Sequence, residues 1–277
     1  MLSLTVLTLG LAAPNPELPP GANSESPAEL AAWIDQRLDA AWEQKGVAPR
    51  PVAGDEIFLR RAYLELTGTI PSVSQARDFL GESSPSKRGL LVNRLIRDRK
   101  FDEHYAALWA RTLAPAGESR SPLTAWLRDE FRKDTPFDEI ARQMITATGN
   151  STTPSPASFY FAVGNTPEQV TDNVARGLLG IRIGCAQCHD HPFTEWKEED
   201  FWGMAAFFAG TGSNNGVVAD TFVTTITPTN STKEYNAKFL IGETPELTSK
   251  RSPRAVLAEW LTSPDNDYFA ANVVNRV

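Results

Sequence analysis

The two cysteines of the chain lie three positions apart, and a histidine follows the second one directly, in Cys185-Ala-Gln-Cys188-His189. In a c-type cytochrome the thiols of such a sequence add to the two vinyl groups of haem, and the histidine gives the iron an axial nitrogen. The two intervening residues place both sulfurs on one side of a helical turn. The spacing therefore predicts haem c, held covalently by Cys185 and Cys188, with His189 as an axial iron ligand.

A sixth iron ligand is harder to assign. The candidates are His191, His104, Met204 and Met144. His191 lies only two residues from His189, which is too close to reach the opposite face of the same ring. The methionines occupy apolar positions of predicted helices, where core packing is the commoner role, and His104 lies on another predicted helix. A five-coordinate iron is also compatible with the sequence.

Three other chemistries fit the same residues. Cys185, Cys188, His189 and His191 together could hold zinc, although structural zinc sites usually draw two ligand pairs from separate segments. A redox-active dithiol is a second alternative, but it normally opens a helix in a βαβ unit, which the sequence does not predict. A structural disulfide in an exported domain is the third alternative.

Residues around the motif would suit a large apolar cofactor. Five aromatic side chains follow it within about one helix, and ordinary core packing is the expected role for most of them: Trp196, Phe201, Trp202, Phe207 and Phe208. Arg176 and Arg182 could meet the propionates of a haem, although exposed arginines are commoner than ligands. Asp190 could orient His189 or His191 as a hydrogen-bond partner.

Composition and motifs exclude several function classes. A net charge of −7 argues against a nucleic-acid partner, which requires a basic surface. The chain has no Ser/His/Asp arrangement, no glycine-rich phosphate loop and no His-Glu-x-x-His sequence, so no catalytic residue is assigned. With 41% hydrophobic and 22% charged residues, its composition is that of an ordinary globular protein.

The N-terminal residues predict export. Residues 1–13 form a short apolar run that ends in small residues, as in a secretory signal, although the basic start of such a signal is missing. Residues 14–25, rich in proline, glycine and serine, read as a linker. No apolar run is long enough to span a bilayer, so we expect a soluble protein of the periplasm, the cell envelope or the extracellular space.

Hydrophobic periodicity predicts a mainly α fold, a multi-helix domain with a small β-hairpin insertion near 217–241. Apolar residues recur at helical spacing in most segments, including helices near 55–67, from Thr166 to Gly180, and over 194–209. Gly210 to Asn215 should break the last of these helices. Residues 217–228 alternate weakly and predict a strand paired with 234–241.

Several segments resemble a known family. The stretch 180–193, Gly-Ile-Arg-Ile-Gly-Cys-Ala-Gln-Cys-His-Asp-His-Pro-Phe, is similar to the planctomycete-type cytochrome c-like domain, a domain of unknown function, and so are residues 55–71, Pro136-Phe-Asp and 156–160. This resemblance covers roughly residues 30–210. By name and motif it implies haem, whereas it implies no substrate and no reaction.

Residues 257–276 resemble the opening of the companion domain that usually follows in such proteins, which suggests a truncated product. The predicted organisation is a signal segment 1–13, a linker 14–25, a cytochrome c-like domain 26–210, a hairpin region 211–250 and the companion opening 251–277. The expected function is electron transfer, or the redox part of a larger envelope enzyme, with an unidentified redox protein as partner. A metal-binding or disulfide-stapled structural module of a surface complex is the alternative.

Overall fold

Most of the described chain is α-helical, as the sequence predicted. The computed structural model describes residues 27–115, 119–229 and 231–276, so the predicted signal segment and linker lie outside the described residues. The helices are α1 (Pro27–Gln44), α2 (Asp55–Thr67), α3 (Val73–Gly81), α4 (Lys87–Ile96), α5 (Arg99–Leu113), α6 (Ser121–Arg132), α7 (Phe137–Thr146), α8 (Ser158–Val163), α9 (Pro167–Val174), α10 (Glu198–Ala206), α11 (Pro253–Leu261) and α12 (Asp267–Val274).

The chain divides into two units, Met1–Gly54 and Asp55–Val277. The described part of the first unit is α1 and the segment after it, and α1 carries exposed apolar side chains at the spacing of one helical face, at Leu30, Ile34 and Leu38. None of the described helices combines the length and the apolarity that a bilayer span requires.

The second unit contains the main hydrophobic core. Helices α5, α6, α7 and α9 bury one face each against it, because their apolar residues recur every three or four positions. Helix α10 is buried all round over residues 201–206, where its sequence is continuously apolar or small. Helices α11 and α12 contribute Leu257, Leu261 and Phe269 to the same core. Helices α11 and α12 are therefore packed together with the helices that precede them. A smaller cluster of apolar side chains joins α2, α3 and α4.

Two short antiparallel sheets complete the fold. Strand β3 (Val217–Asp220) lies between β1 (Gly149–Asn150) and β2 (Thr211–Asn214), and β4 (Thr225–Ile226) pairs with β5 (Tyr235–Asn236). The expected pairing of 217–228 with 234–241 holds only for β4 and β5.

In the segment 210–220 the predicted helix break and the predicted strand from 217 are confirmed, but the predicted partner was wrong, because 217–220 pair with 211–214 as a hairpin of their own. Asn215 and Gly216 both have positive φ, at 49° and 76°, and Asn214 pairs directly with Val217. An Asn-Gly pair of this kind closes a two-residue hairpin whose twist matches the flanking strands. The Asn-Gly dipeptide was the signal that could have located this hairpin in the sequence.

Helix α10 begins at Glu198, four residues later than predicted. Its start is defined by two carboxylates, since Asp200 Oδ2 accepts a hydrogen bond from Lys197 N at 2.9 Å and Asp190 Oδ1 accepts one from Glu198 N at 3.0 Å. Both bonds satisfy backbone donors that a helix start leaves unpaired. Residues 194–197 therefore remain outside the helix and are available to border the site described below.

A buried cation connects α11 to three other elements. The Arg254 side chain is fully buried, and its Nη1 donates to the carbonyls of Ile145 and Ala147 at 3.0 and 2.9 Å and to Tyr160 Oη at 2.7 Å. Its Nη2 lies 3.0 Å from Asp220 Oδ2. The guanidinium thereby connects α11 to the end of α7, to α8 and to β3.

Candidate functional site

The cysteine motif follows a helix that is closed in an unusual way. Thr166 caps α9 by accepting a hydrogen bond from Gln169 N, and the helix continues into a single π-helical turn, Ala175–Leu179. Gly180 ends this turn with φ at 73°, a left-handed conformation that suits glycine. The predicted end of this helix at Gly180 is confirmed.

Asn272 of α12 and Arg276, which follows this helix, satisfy two carbonyls of the π-helical turn. Asn272 Nδ2 donates to the carbonyl of Gly177 at 2.8 Å, and Arg276 Nη2 donates to the carbonyl of Arg176 at 3.1 Å. Arg276 Nε also donates to Asn272 Oδ1 at 2.9 Å. Sequence reasoning missed both residues, and the only available signal was a polar Asn272 inside an otherwise apolar helix.

The cysteines lie on a 3₁₀ turn, Gly184–Gln187, which Cys188 ends. In a 3₁₀ helix the side chains at positions i and i+3 lie on one face, so the spacing of Cys185 and Cys188, with Cys188 at the end of the turn, favours a common face. Both cysteines are exposed and neither is in a disulfide. Both thiols are therefore accessible from solvent.

The opposite side of this turn is fixed to the core. Ala186 is fully buried, and Trp202 of α10 donates its Nε1 to the carbonyl of Gln187 at 3.0 Å. Gly184 packs so closely on α9 that a Cβ there would lie 2.7 Å from Asp172 Oδ1. The thiols are therefore carried by a well-anchored backbone although they face the solvent.

The hydrogen bond of His189 determines which ring nitrogen is available. Its Nδ1 lies 2.8 Å from the backbone carbonyl of Asp190, and because a carbonyl only accepts, Nδ1 carries the proton. In the neutral ring this leaves the lone pair on Nε2. Histidines that bind a metal usually donate their other N–H in this way. Asp190 acts through its carbonyl, since its carboxylate caps α10.

His191 has the opposite arrangement. Phe193 N donates to His191 Nδ1 at 3.2 Å, so the lone pair of this nitrogen is already engaged. The backbone N–H of His191 in turn donates to the carbonyl of Trp196 at 2.8 Å, which closes the loop 191–196. His191 therefore stabilises the conformation of this loop through its ring and its backbone.

The other predicted iron ligands lie away from the surface of the turn. Met204 is on α10, which packs on the 3₁₀ turn, but its side chain is fully buried in the core, as is that of Met144. His104 lies on α5 against Gly68, and partial burial together with the charge of Arg111 lowers the pKa of its imidazole. Within residues 27–115, 119–229 and 231–276, no three His, Cys, Asp or Glu side chains are grouped so that they could hold a metal.

The aromatic residues after the motif divide into two groups. Four of them are buried in the core, as expected: Phe201, Trp202, Phe207 and Phe208. Trp196 is half-buried and packs against the core from the loop. Phe193, which precedes it in the loop, is 91% exposed.

The segments that flank the 3₁₀ turn border an open cleft of about 930 Å³. Residues 180–182 lead into the turn and line one side, residues 191–196 leave it and line another, and Tyr268 of α12 completes the lining. The residues that line the cleft do not include Cys185, Cys188 or His189, so the cleft lies beside the motif along the chain and is not formed by it.

The two arginines near the motif differ in their availability. Arg176 donates Nη1 to the carbonyl of Thr112 at 2.8 Å and Nη2 to Asn173 Oδ1 at 2.5 Å, and burial lowers the pKa of its guanidinium. Arg182 is exposed in the cleft, and among the described residues no hydrogen-bond or ion-pair partner is found for it. Only Arg182 is therefore positioned to bind an external anion.

Comparison with known proteins identifies a family. No curated protein and no solved structure matches the chain. The family model described as "PSCyt2: Protein of unknown function (DUF1549)" matches residues 33–213, which include the cysteine motif, the π-helical turn and the loop 191–196. The chain therefore belongs to the PSCyt2 family of proteins of unknown function.

Proposed function

We propose that this chain is a c-type haem-binding protein, attached to haem through Cys185 and Cys188, which transfers electrons or forms the redox part of a larger envelope enzyme. The observation that carries the proposal is the hydrogen bond of His189 Nδ1 to the carbonyl of Asp190, which leaves Nε2 with the lone pair that an iron ligand needs. Bound haem would supply one-electron chemistry at its iron.

The thiols support the same function. They are exposed and free, so both are accessible for addition to two vinyl groups. Each addition places the sulfur on one vinyl carbon and the thiol hydrogen on the other, so the attachment consumes no oxidant. The exposed face of the turn leaves room for the macrocycle, whereas its buried face is anchored by Ala186 and Trp202.

A zinc site or a disulfide is the alternative function of these residues, as a structural module of a surface complex. Two exposed free thiols three residues apart favour a disulfide as much as they favour haem. A four-ligand zinc site is less well supported, because His191 Nδ1 already accepts a backbone hydrogen bond. In addition, no three His, Cys, Asp or Glu side chains among the described residues lie close enough together to hold a metal ion. The experiment below separates all three.

The proposed location is the periplasm or cell envelope, on the basis of the apolar run 1–13. We further propose that residues from Leu257 onward begin a companion domain whose first helices have a structural role here. The support for this role is that Asn272 and Arg276 bind the carbonyls of the π-helical turn that precedes the cysteines.

The test is a pyridine haemochrome spectrum together with a haem-stained denaturing gel. The chain is exported in a host that carries the c-type maturation machinery, beside the variant Cys185→Ala/Cys188→Ala. His191→Ala serves as the matched control for His189→Ala. We expect haem that remains on the denatured wild-type chain, is lost from the double cysteine variant, and shows altered iron ligation in His189→Ala but not in His191→Ala.

A colourless but folded wild-type protein would refute the proposal. Zinc by elemental analysis would then favour the metal site, and the loss of two free thiols would favour the disulfide. Unchanged iron ligation in His189→Ala would refute the assignment of His189 even if haem were attached.

A further inference from the structure

Two backbone donors at the end of the π-helical turn converge on one carbonyl. The N–H groups of Gly180 and Ile181 both donate to the carbonyl of Ala175, the second at 3.0 Å. In a continuous α-helix each N–H donates to the carbonyl four residues earlier, so Gly180 would reach Arg176 and Ile181 would reach Gly177. The π-helical register therefore takes from Arg176 and Gly177 the backbone donors that an α-helix would provide.

Two side chains replace those donors one for one. Asn272 Nδ2 donates to the carbonyl of Gly177 at 2.8 Å, and Arg276 Nη2 donates to the carbonyl of Arg176 at 3.1 Å. Asn272 is buried, and its Oδ1 accepts a hydrogen bond from Arg276 Nε at 2.9 Å, so the two side chains also hold each other in place. The carbonyls that the π-helical register leaves open are thus the ones that this pair binds.

The register of the turn sets the direction in which the chain leaves toward the cysteines. Gly180 leaves with φ at 73°, and a Cβ on it would lie 2.8 Å from Asn272 Oδ1. Ile181 and Ile183 then enter the core, and Cys185 follows two residues later. If the helix continued in the α register, the left-handed exit at Gly180 would be lost, and the segment that carries the cysteines would leave in another direction.

We propose that Asn272 and Arg276 form a conformational lock that holds the π-helical register and thereby positions Cys185 and Cys188. The turn has two alternative registers, α and π, which differ in the donors that its carbonyls accept. Because the pair binds carbonyls that the π register leaves open, it stabilises this register over the other. A change that withdraws α12 would release the 3₁₀ turn that carries the cysteines. The lock goes beyond the proposed function, since it acts on the cysteines whether they bind haem, bind zinc or form a disulfide.

The test is native-state hydrogen exchange, followed by mass spectrometry, on the variant Asn272→Ala/Arg276→Gln. Peptides from 175–188 should exchange about five- to hundredfold faster than in the wild type, because two carbonyls lose their donors, whereas peptides of α6 and α7 should be unchanged. Arg142→Gln is the matched control. It removes a comparable side-chain bond elsewhere, from Arg142 Nε to Thr262 Oγ1 at 2.8 Å, and should leave 175–188 unchanged.

A second measurement reports on the thiols themselves. The equilibrium constant for closing a Cys185–Cys188 disulfide against glutathione should differ several-fold between the double variant and the wild type, because the register sets how the thiols lie relative to each other. Gly180→Ala should shift both readouts in the same direction with the lock residues intact, since alanine disfavours the left-handed exit and is compatible with the α register.

The outcomes decide between a lock and a general loss of stability. Unchanged exchange over 175–188 in the double variant would overturn the lock, and so would faster exchange spread evenly over all helices. A response to Gly180→Ala without a response to the double variant would overturn the role assigned to Asn272 and Arg276. If the double variant does not fold, Arg276→Gln alone, at a partly exposed residue, provides the same two readouts.

Discussion

Replacing Arg254 with methionine removes the buried cation and keeps a side chain of similar length. The guanidinium donates to the carbonyls of Ile145 and Ala147 and to the hydroxyl of Tyr160, and it pairs with Asp220. After the substitution Ile145 retains a donor, because Tyr160 Oη donates to its carbonyl at 2.5 Å. The Ala147 carbonyl loses its side-chain donor, and Asp220 loses its counter-charge.

The magnitude follows from these two losses. Removing one partner of a buried ion pair costs about 3–5 kcal/mol, because the other charge remains without compensation. An unsatisfied buried carbonyl costs about 1–3 kcal/mol, and the two estimates overlap in what they count. We therefore expect Arg254→Met to lower the free energy of unfolding of the second unit by about 3–5 kcal/mol. For a unit of this size the melting temperature should fall by roughly 6–20 °C.

Urea denaturation followed by circular dichroism, with calorimetry beside it, measures this loss. Arg251→Met is the matched control, since Arg251 pairs with Glu259 at the surface and its loss should change the midpoint far less. Asp220→Asn should also lower the free energy of unfolding, and the double variant should lose less than the sum of the two single losses, because both substitutions break the same ion pair. If Arg254→Met were as stable as Arg251→Met, the buried network would not stabilise the fold as argued.

Three further changes test other parts of the structure. Gly180→Ala should lower the free energy of unfolding by about 1–3 kcal/mol in urea denaturation, because φ is 73° and the added Cβ would meet Asn272. Gly81→Ala, where a Cβ would enter open space, should cost nothing, and equal effects of the two substitutions would contradict the prediction. Asn272→Ala should cost about 1–3 kcal/mol by leaving the Gly177 carbonyl without its donor, and an unchanged midpoint would contradict this. Burial raises the pKa of Tyr160 to about 12, so the contribution of its neutral phenol to stability is complete below pH 10 and is lost between pH 10 and 12. Ultraviolet titration should show a phenolate that forms only well above pH 10 and that Tyr160→Phe removes. Complete ionisation of the tyrosines near pH 10 would refute this prediction.

Local patterns were sufficient for most helices. The apolar spacing over 55–67 predicted α2 at its observed bounds. The sequence also predicted the start at Thr166-Pro167 and the end at Gly180 of the helical segment before the motif. These features depend on side-chain periodicity and on the conformational preferences of single residues, which are properties of the chain itself.

The small β-structure was predicted less well. Residues 217–220 pair with 211–214 and with 149–150, and the first of these partners follows from the Asn-Gly turn at 215–216. The second partner is more than sixty residues away along the chain. Two-residue strands carry almost no periodic signal, so only the packing of the surrounding helices brings them together.

For the site, the sequence by itself determined the chemistry that is available, namely two thiols three residues apart and a histidine directly after them. The tertiary structure decided which side chains near the motif are already occupied by hydrogen bonds. The engagement of Arg176 depends on Thr112 of α5, and the support of the π-helical turn depends on Asn272 of α12. Hydrogen bonds between distant segments are set by how helices pack, and no local pattern of residues encodes them.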